Sequence, residues 1–215
     1  MVLELHFFYK LAQLILKIFA LQIATSSMVT SSSRTYASQQ TYENGTLACS
    51  SIALHWALAC LHEFVHPMCT EKQMRQLFLH SISIHKEVAG KLENRSNDML
   101  MITDIIDNLG LPLHTKYVDV HFHVNDDWDM EPATDFLVLH AHEIANMMTP
   151  QSALVFTYSN HTQAIYSNAN GKLYFFDSLP AIVKHIDRDI LTTQLFSSEV
   201  LSVDFVAYGI FITKC

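Results

Sequence analysis

The sequence predicts an α+β domain, with helices first and a mostly antiparallel sheet after them. Three observations carry this. Residues 50–108 hold three segments with helical spacing of apolar residues, and from residue 153 onward short apolar runs alternate with turn residues. The composition is half hydrophobic and 16% charged with only 5 Gly and 5 Pro, which suits a compact chain rich in regular elements. A length of 215 residues normally makes one domain with a sizeable core. We divide the chain into an N-terminal apolar, amphipathic helix (1–27), a polar linker and approach loop (28–43) and the domain itself (44–215).

In order along the chain, residues 3–24 are mostly apolar, with His6, Lys10, Gln13 and Lys17 forming a narrow polar stripe at helical spacing. Such a helix could pack on the domain or touch a membrane surface, while the two lysines interrupt a membrane-spanning run. Residues 50–65 read as a central buried helix, apolar around most of its circumference, with Pro67 just beyond. Further helices are expected at 71–85, at 97–108 after Ser96-Asn97, and at 134–148. Residues 114–124 alternate as a strand. Strands then follow over ALVFTY, HTQAIY and KLYFFD, with a helical stretch near 187–196 and a final strand within residues 201–213.

The net charge of −8 argues against nucleic acid as the main partner, since phosphates call for a basic face. The four cysteines, Cys49, Cys60, Cys69 and Cys215, fit neither a disulfide framework nor a CxxC zinc ribbon, which points to a reducing compartment with one functional thiol. Sequons stand at Asn44, Asn94 and Asn160. Two of them flank the site described next, where a glycan would obstruct it, so we expect a cytoplasmic setting, in a host cell or virion.

Cys49 opens the central helix, where free N–H groups and the helix dipole favour a thiolate. Position alone also fits a cysteine buried in a core helix. His161 and Asp177 lie at mirror positions about the turn of one hairpin, H161-T-Q-A-I-Y, S-N-A-N-G171, K-L-Y-F-F-D177. With the pairing centred on residue 169, they would face each other directly at about 5 Å. Asp177 ends an apolar strand, where an unpaired carboxylate is costly, although it could equally cap a turn. A thiol, an imidazole and a carboxylate so placed would form a nucleophile, a base and its orienting group.

A rival pattern is H62-E63-F-V-H66, which matches HExxH and would set two zinc ligands on one helical face, with Glu87 as a third. Thirteen His make such a match easier by chance, and Pro67 disfavours helical geometry at His66. The pairs His121/His123 and His140/His142 read as surface histidines.

The segment A48-C-S-S-I-A-L-H-W-A-L58 resembles the nucleophile helix of papain-like cysteine peptidases of the deubiquitinating kind. The run from His161 to Asp177, with Gly-x-Leu-Tyr before the acid, is similar to the His-to-Asp hairpin of ubiquitin C-terminal hydrolases and ubiquitin-specific proteases. Compact viral deubiquitinases of herpesvirus tegument proteins share the open-sheet architecture, but there the Asp precedes its His. The resemblance implies a papain-like fold, a helical lobe with a central nucleophile helix on the sheet. It also implies Cys49 as nucleophile, His161 as general base and acid, and Asp177 as orienter.

The implied activity is cleavage of peptide or isopeptide bonds at the C-terminus of ubiquitin or a ubiquitin-like protein, without a cofactor. Where the family carries a Gln about six residues before the Cys, this chain has Glu43, which cannot donate when ionised. Asn44 and Gln40 are the oxyanion-donor candidates, with Gln39 in reach if the approach loop is longer. Two alternatives stand beside the peptidase: a catalytically inactive module of the same fold that grips ubiquitin, and an HExxH zinc peptidase.

Overall fold

The computed structural model describes residues 33–92, 99–109, 114–122, 137–140, 143–158, 160–187 and 205–213. The helix expected at 3–24 lies outside them, as do residues 188–196 of the expected helical stretch, His123, His142 and Asn94. Eight described strands form one sheet: β1 (Ser33–Thr35), β2 (His114–Phe122), β3 (Leu137–His140), β4 (Ser152–Tyr158), β5 (His161–Ser167), β6 (Leu173–Asp177), β7 (Ile182–Ile186) and β8 (Phe205–Thr213). Their order is β1-β7-β6-β5-β4-β8-β2-β3, antiparallel throughout except for the β2–β3 edge pair. The helices are α1 (Cys49–Leu61), α2 (Glu71–Lys91), α3 (Ile102–Leu109) and the short α4 (Ile144–Met147). Among the described residues, no helix is long and apolar enough to cross a membrane.

Apolar residues nearly all round α1 demand burial on all sides, and all of its residues except His55 and Leu58 are buried. It lies against β5, β4 and β6 on one side and α2 on the other. Trp56 stacks on Phe176 at 4.9 Å and meets Tyr166 edge-on, while Phe78 of α2 closes the same cluster against Phe176. Burying side chains of this size contributes about 1.5–3 kcal/mol each. This cluster fixes α1 across the sheet, and with it the position of Cys49.

The helix stops at Leu61, four residues short of the expected Val65, for a local reason. Glu63 takes φ 61, its N–H bonds the Cys60 carbonyl, and the Phe64 N–H bonds the Ala59 carbonyl. This is a Schellman ending, with a glutamate where glycine is usual. Helix α2 begins with a reciprocal capping box between Thr70 and Gln73 and runs beyond the expected residue 85, because Val88 and Ala89 continue its buried stripe. Helix α3 starts at Ile102 rather than near 97, and Asp104 takes the Met101 N–H at 3.0 Å.

Two elements differ in kind from the expectation. Residues 134–148 read as one helix by sequence, but Leu137–His140 is a strand parallel to β2 and, among the described residues of this span, the α-helix is limited to Ile144–Met147. A short apolar run such as Phe-Leu-Val-Leu fits either state by itself, and an open ladder along Val118–His121 selects the strand. Strands β1 and β7 have no counterpart in the sequence reading. Ser33–Thr35 lies in the stretch read as linker, and it pairs with Ile182–Lys184 at the sheet's edge.

The register of the β5–β6 hairpin also differs from the expectation. Gln163, not His161, stands opposite Asp177, and the pairing is centred on residue 170. The turn falls one residue later than expected because Asn168 Oδ1 accepts from Asn170 N and Lys172 N, and Gly171 takes φ 73. A shift of two residues preserves the face of every side chain. His161 therefore reaches Asp177 diagonally along the same face instead of straight across.

Candidate active site

The chain enters α1 through stacked turns. A 3-10 turn at Gln39–Thr41 follows the Ser38 cap, the Gly45 N–H bonds the Tyr42 carbonyl, and the Ala48 N–H bonds the Gly45 carbonyl. Only glycine fits at 45, since a Cβ there would lie 2.0 Å from the Gln39 carbonyl oxygen. The N-cap Ala48 has no side-chain capping bond, so no cap competes for the N–H groups of the first turn around Cys49.

Three of the residues singled out in the sequence come together here. His161 Nε2 donates to Asp177 Oδ1 at 2.7 Å, which leaves Nδ1 for the thiol, because an ionised carboxylate only accepts. Asp177 Oδ1 also accepts the Leu179 N–H at 2.9 Å, and Oδ2 accepts from Gln163 Nε2 at 2.6 Å. The Cys49 thiol interacts with the His161 imidazole, and it lies 3.9 Å from Thr162 Oγ1. Thr162 in turn bonds Ser50 Oγ at 2.8 Å and Thr157 Oγ1 at 2.7 Å, a buried hydroxyl chain beneath the sulfur.

Burial alone would raise the Cys49 pKa, but hydrogen bonds from His161 and Thr162 outweigh it and hold the thiol below its ordinary value. Burial would likewise lower the imidazole, but hydrogen bonds to Asp177 and Cys49 push His161 up to about 9. The two shifts belong to one coupled pair and favour thiolate with imidazolium. Cys60 and Cys69 behave in the opposite way. Burial pushes Cys60 far up and Cys69 to about 12, which leaves both inert. Of the described thiols, Cys49 alone is activated.

The oxyanion-donor candidates lie on the approach to α1. Gln40 and Asn44 are exposed, Asn44 at φ 61, and Glu43 is exposed beside it. Gln39 is the buried amide of the approach. Its Nε2 donates to the Thr46 carbonyl at 3.3 Å, and its Oε1 accepts from Ser178 Oγ. Thr162, Gln163 and Met99 are absent from the sequence reading. Strand alternation after His161 places Thr162 towards α1 and Gln163 beside Asp177, a signal that needs the correct register. Met99, fifty positions from Cys49, has no sequence signal; its Sδ lies 3.2 Å from Cys49 Sγ and helps to leave Cys49 1% exposed.

The HExxH alternative fails on backbone geometry. His62 caps α1, Glu63 sits in the left-handed region, and His66 accepts the Met68 N–H on its own Nδ1, so the two histidines share no helical face. Glu87, the supposed third ligand, pairs with Lys91 at 3.1 Å. Histidines 121 and 140 are register partners on β2 and β3.

The fold and the arrangement at its centre define a class: a papain-like α+β domain with a thiol, an imidazole and a carboxylate at the junction of the central helix and the sheet. By sequence, neither a protein-family model nor a curated protein matches the chain. Among solved structures it is similar to the ubiquitin-specific protease encoded by murine cytomegalovirus tegument protein M48, which was solved in complex with a ubiquitin-based suicide substrate. That match has a TM-score of 0.62 and 14% sequence identity, and it covers 85% of this chain and 87% of the other. Likeness at this identity establishes the fold.

Proposed function

We propose that this protein is a cysteine peptidase that hydrolyses peptide or isopeptide bonds at the C-terminus of ubiquitin or a ubiquitin-like protein. The observation that carries the chemistry is the Cys49 thiol at the N-terminus of α1, lowered in pKa beside an imidazole that Asp177 holds at 2.7 Å. The substrate class rests on the likeness to the viral ubiquitin-specific protease.

In the proposed reaction the Cys49 thiolate attacks the carbonyl carbon of the substrate's C-terminal residue, the one joined to the leaving amine. The carbonyl oxygen takes up negative charge, and first-turn N–H groups of α1 are placed to receive it. The His161 imidazolium protonates the leaving amine as the C–N bond breaks, leaving a thioester. The neutral imidazole then takes a proton from water, whose oxygen attacks the thioester, and the thiolate leaves. Asp177 keeps the imidazole oriented and stabilises its charged form. The side-chain oxyanion donor is an amide of the approach, Asn44, Gln40 or the buried Gln39, and loss of the true donor lowers kcat by roughly 100–1000-fold.

A second reading, a ubiquitin-binding module without turnover, draws on Met99 over the thiol and on Glu43 in the place of an amide. A ubiquitin probe with a C-terminal electrophile separates the readings. The peptidase predicts a covalent adduct mapped to Cys49 and lost in Cys49→Ala. Its rate should fall by about 100–10,000-fold in His161→Ala, the usual worth of a general acid–base group. Tight binding without an adduct would leave only the inactive module.

A further inference from the structure

We propose that Gln163 is a positioning residue of this site: its amide locks the Asp177 carboxylate, and through it the ring of His161, in the geometry that proton exchange with Cys49 requires. The inference deepens the peptidase reading and rests on it.

The placement is set by the backbone. Gln163 is the register partner of Asp177 and stands two residues after His161, so one ladder puts all three on the same face. Both carboxylate oxygens are occupied: Oδ1 by His161 Nε2 and the Leu179 N–H, Oδ2 by Gln163 Nε2 at 2.6 Å. A carboxylate held at both oxygens cannot rotate without breaking one of these bonds. The orientation of the amide is also settled by chemistry, because a flip would press its oxygen against an acceptor.

The other end of the amide shows what the residue is for. Gln163 is only 4% exposed, and its Oε1 is buried without a hydrogen-bond partner among the described residues. An amide with one end orphaned is a poor choice for packing, where a leucine would fill the space without that penalty. Its useful atom is the donor facing Asp177. A neutral donor is the suitable one here. A lysine or arginine would compete with His161 for the carboxylate's charge, whereas an amide fixes the carboxylate and leaves the charge to the imidazole. Among the described residues, the ionisable groups joined in this cluster are Asp177, His161 and Cys49.

The test uses the full chain carrying Gln163→Leu, Gln163→Asn or Gln163→Glu, each first shown to be folded by its thermal transition. Two readouts are taken across pH: alkylation of Cys49 by iodoacetamide, and hydrolysis of a fluorogenic ubiquitin substrate. We expect Gln163→Leu to lower kcat roughly 10–100-fold with KM little changed, as misplacement of a supporting group does. Its alkaline limb should move to lower pH, because a loosened Asp177 supports the imidazolium less. Gln163→Glu should recover at acid pH, where the two carboxyls share a proton, and fail as pH rises and they repel. Folded Gln163→Leu with wild-type kcat, or with lower kcat and unmoved pH limbs, overturns the proposal. Should the wild type alkylate with a limb that Gln163→Leu shifts, yet never hydrolyse ubiquitin, the positioning stands and the peptidase reading falls.

Discussion

At the scale of single residues, the thiol and the imidazole should titrate as a pair, and the sign of each contribution follows from the direction of its shift. His161, raised from an ordinary 6.5 to about 9, adds stability that is full below the ordinary value and lost as pH climbs through about 9. Cys49 is an acid held below its ordinary 9.0, so it adds stability that is present above that value and lost as pH falls through its lowered pKa. The reactive thiolate–imidazolium form therefore occupies the window between the lowered thiol pKa and about 9. Thiolate absorbance should rise with pH below the ordinary thiol value in the wild type, and Asp177→Ala, which supports the imidazolium less, should move that rise to higher pH. A simple titration near the value of an ordinary thiol, unchanged in that variant, would contradict the pairing. Met99 supplies a second prediction at this scale. Its sulfur covers Cys49 at 3.2 Å, so Met99→Ala should speed alkylation by small electrophiles, whereas an equal or slower rate would mean that the contact does not shield the thiol.

Among the elements, those marked by strong local signals were legible in the sequence. The all-round apolar pattern marks α1, and the helical spacing over 71–85 marks α2. What was hidden depends on long-range pairing. The Leu137–His140 strand is decided by the ladder it meets, and the His161–Asp177 geometry by a turn one residue off the expected centre. The face of each hairpin residue was still right, because the error in register was even. The end of α1 was misjudged because a glutamate occupies the left-handed position, where glycine would have marked the stop. The approach carries the prediction at this scale. Gly45→Ala must push the Gln39 carbonyl aside, and overpacking of this kind costs about 1–3 kcal/mol. We expect a lower melting temperature together with slower Cys49 alkylation, since the displaced segment leads directly into α1. A variant that melts and reacts as the wild type does would show that the approach does not position Cys49.

For the whole molecule, one sheet plays two parts. Its β4–β6 region clamps the central helix through Trp56, Phe176 and Tyr166, and the start of β5 and end of β6 hold His161 and Asp177 beside that helix's first residue. The order of the chain, thiol first and imidazole then carboxylate on a later hairpin, is thus brought to one point by packing alone. The meeting of the thiol, the imidazole and the carboxylate was legible, because short motifs carry it. The supporting residues, Thr162, Gln163 and Met99, were not, because their roles exist only through contacts across the fold. The decisive assay for a thiol peptidase is hydrolysis of a ubiquitin–fluorophore amide by the wild type, by Cys49→Ala and by chelator-treated wild type. We predict turnover by the wild type, none by Cys49→Ala, and no effect of the chelator. Turnover that survives Cys49→Ala, or no turnover by a wild type whose thiol is reactive, would refute the proposed peptidase.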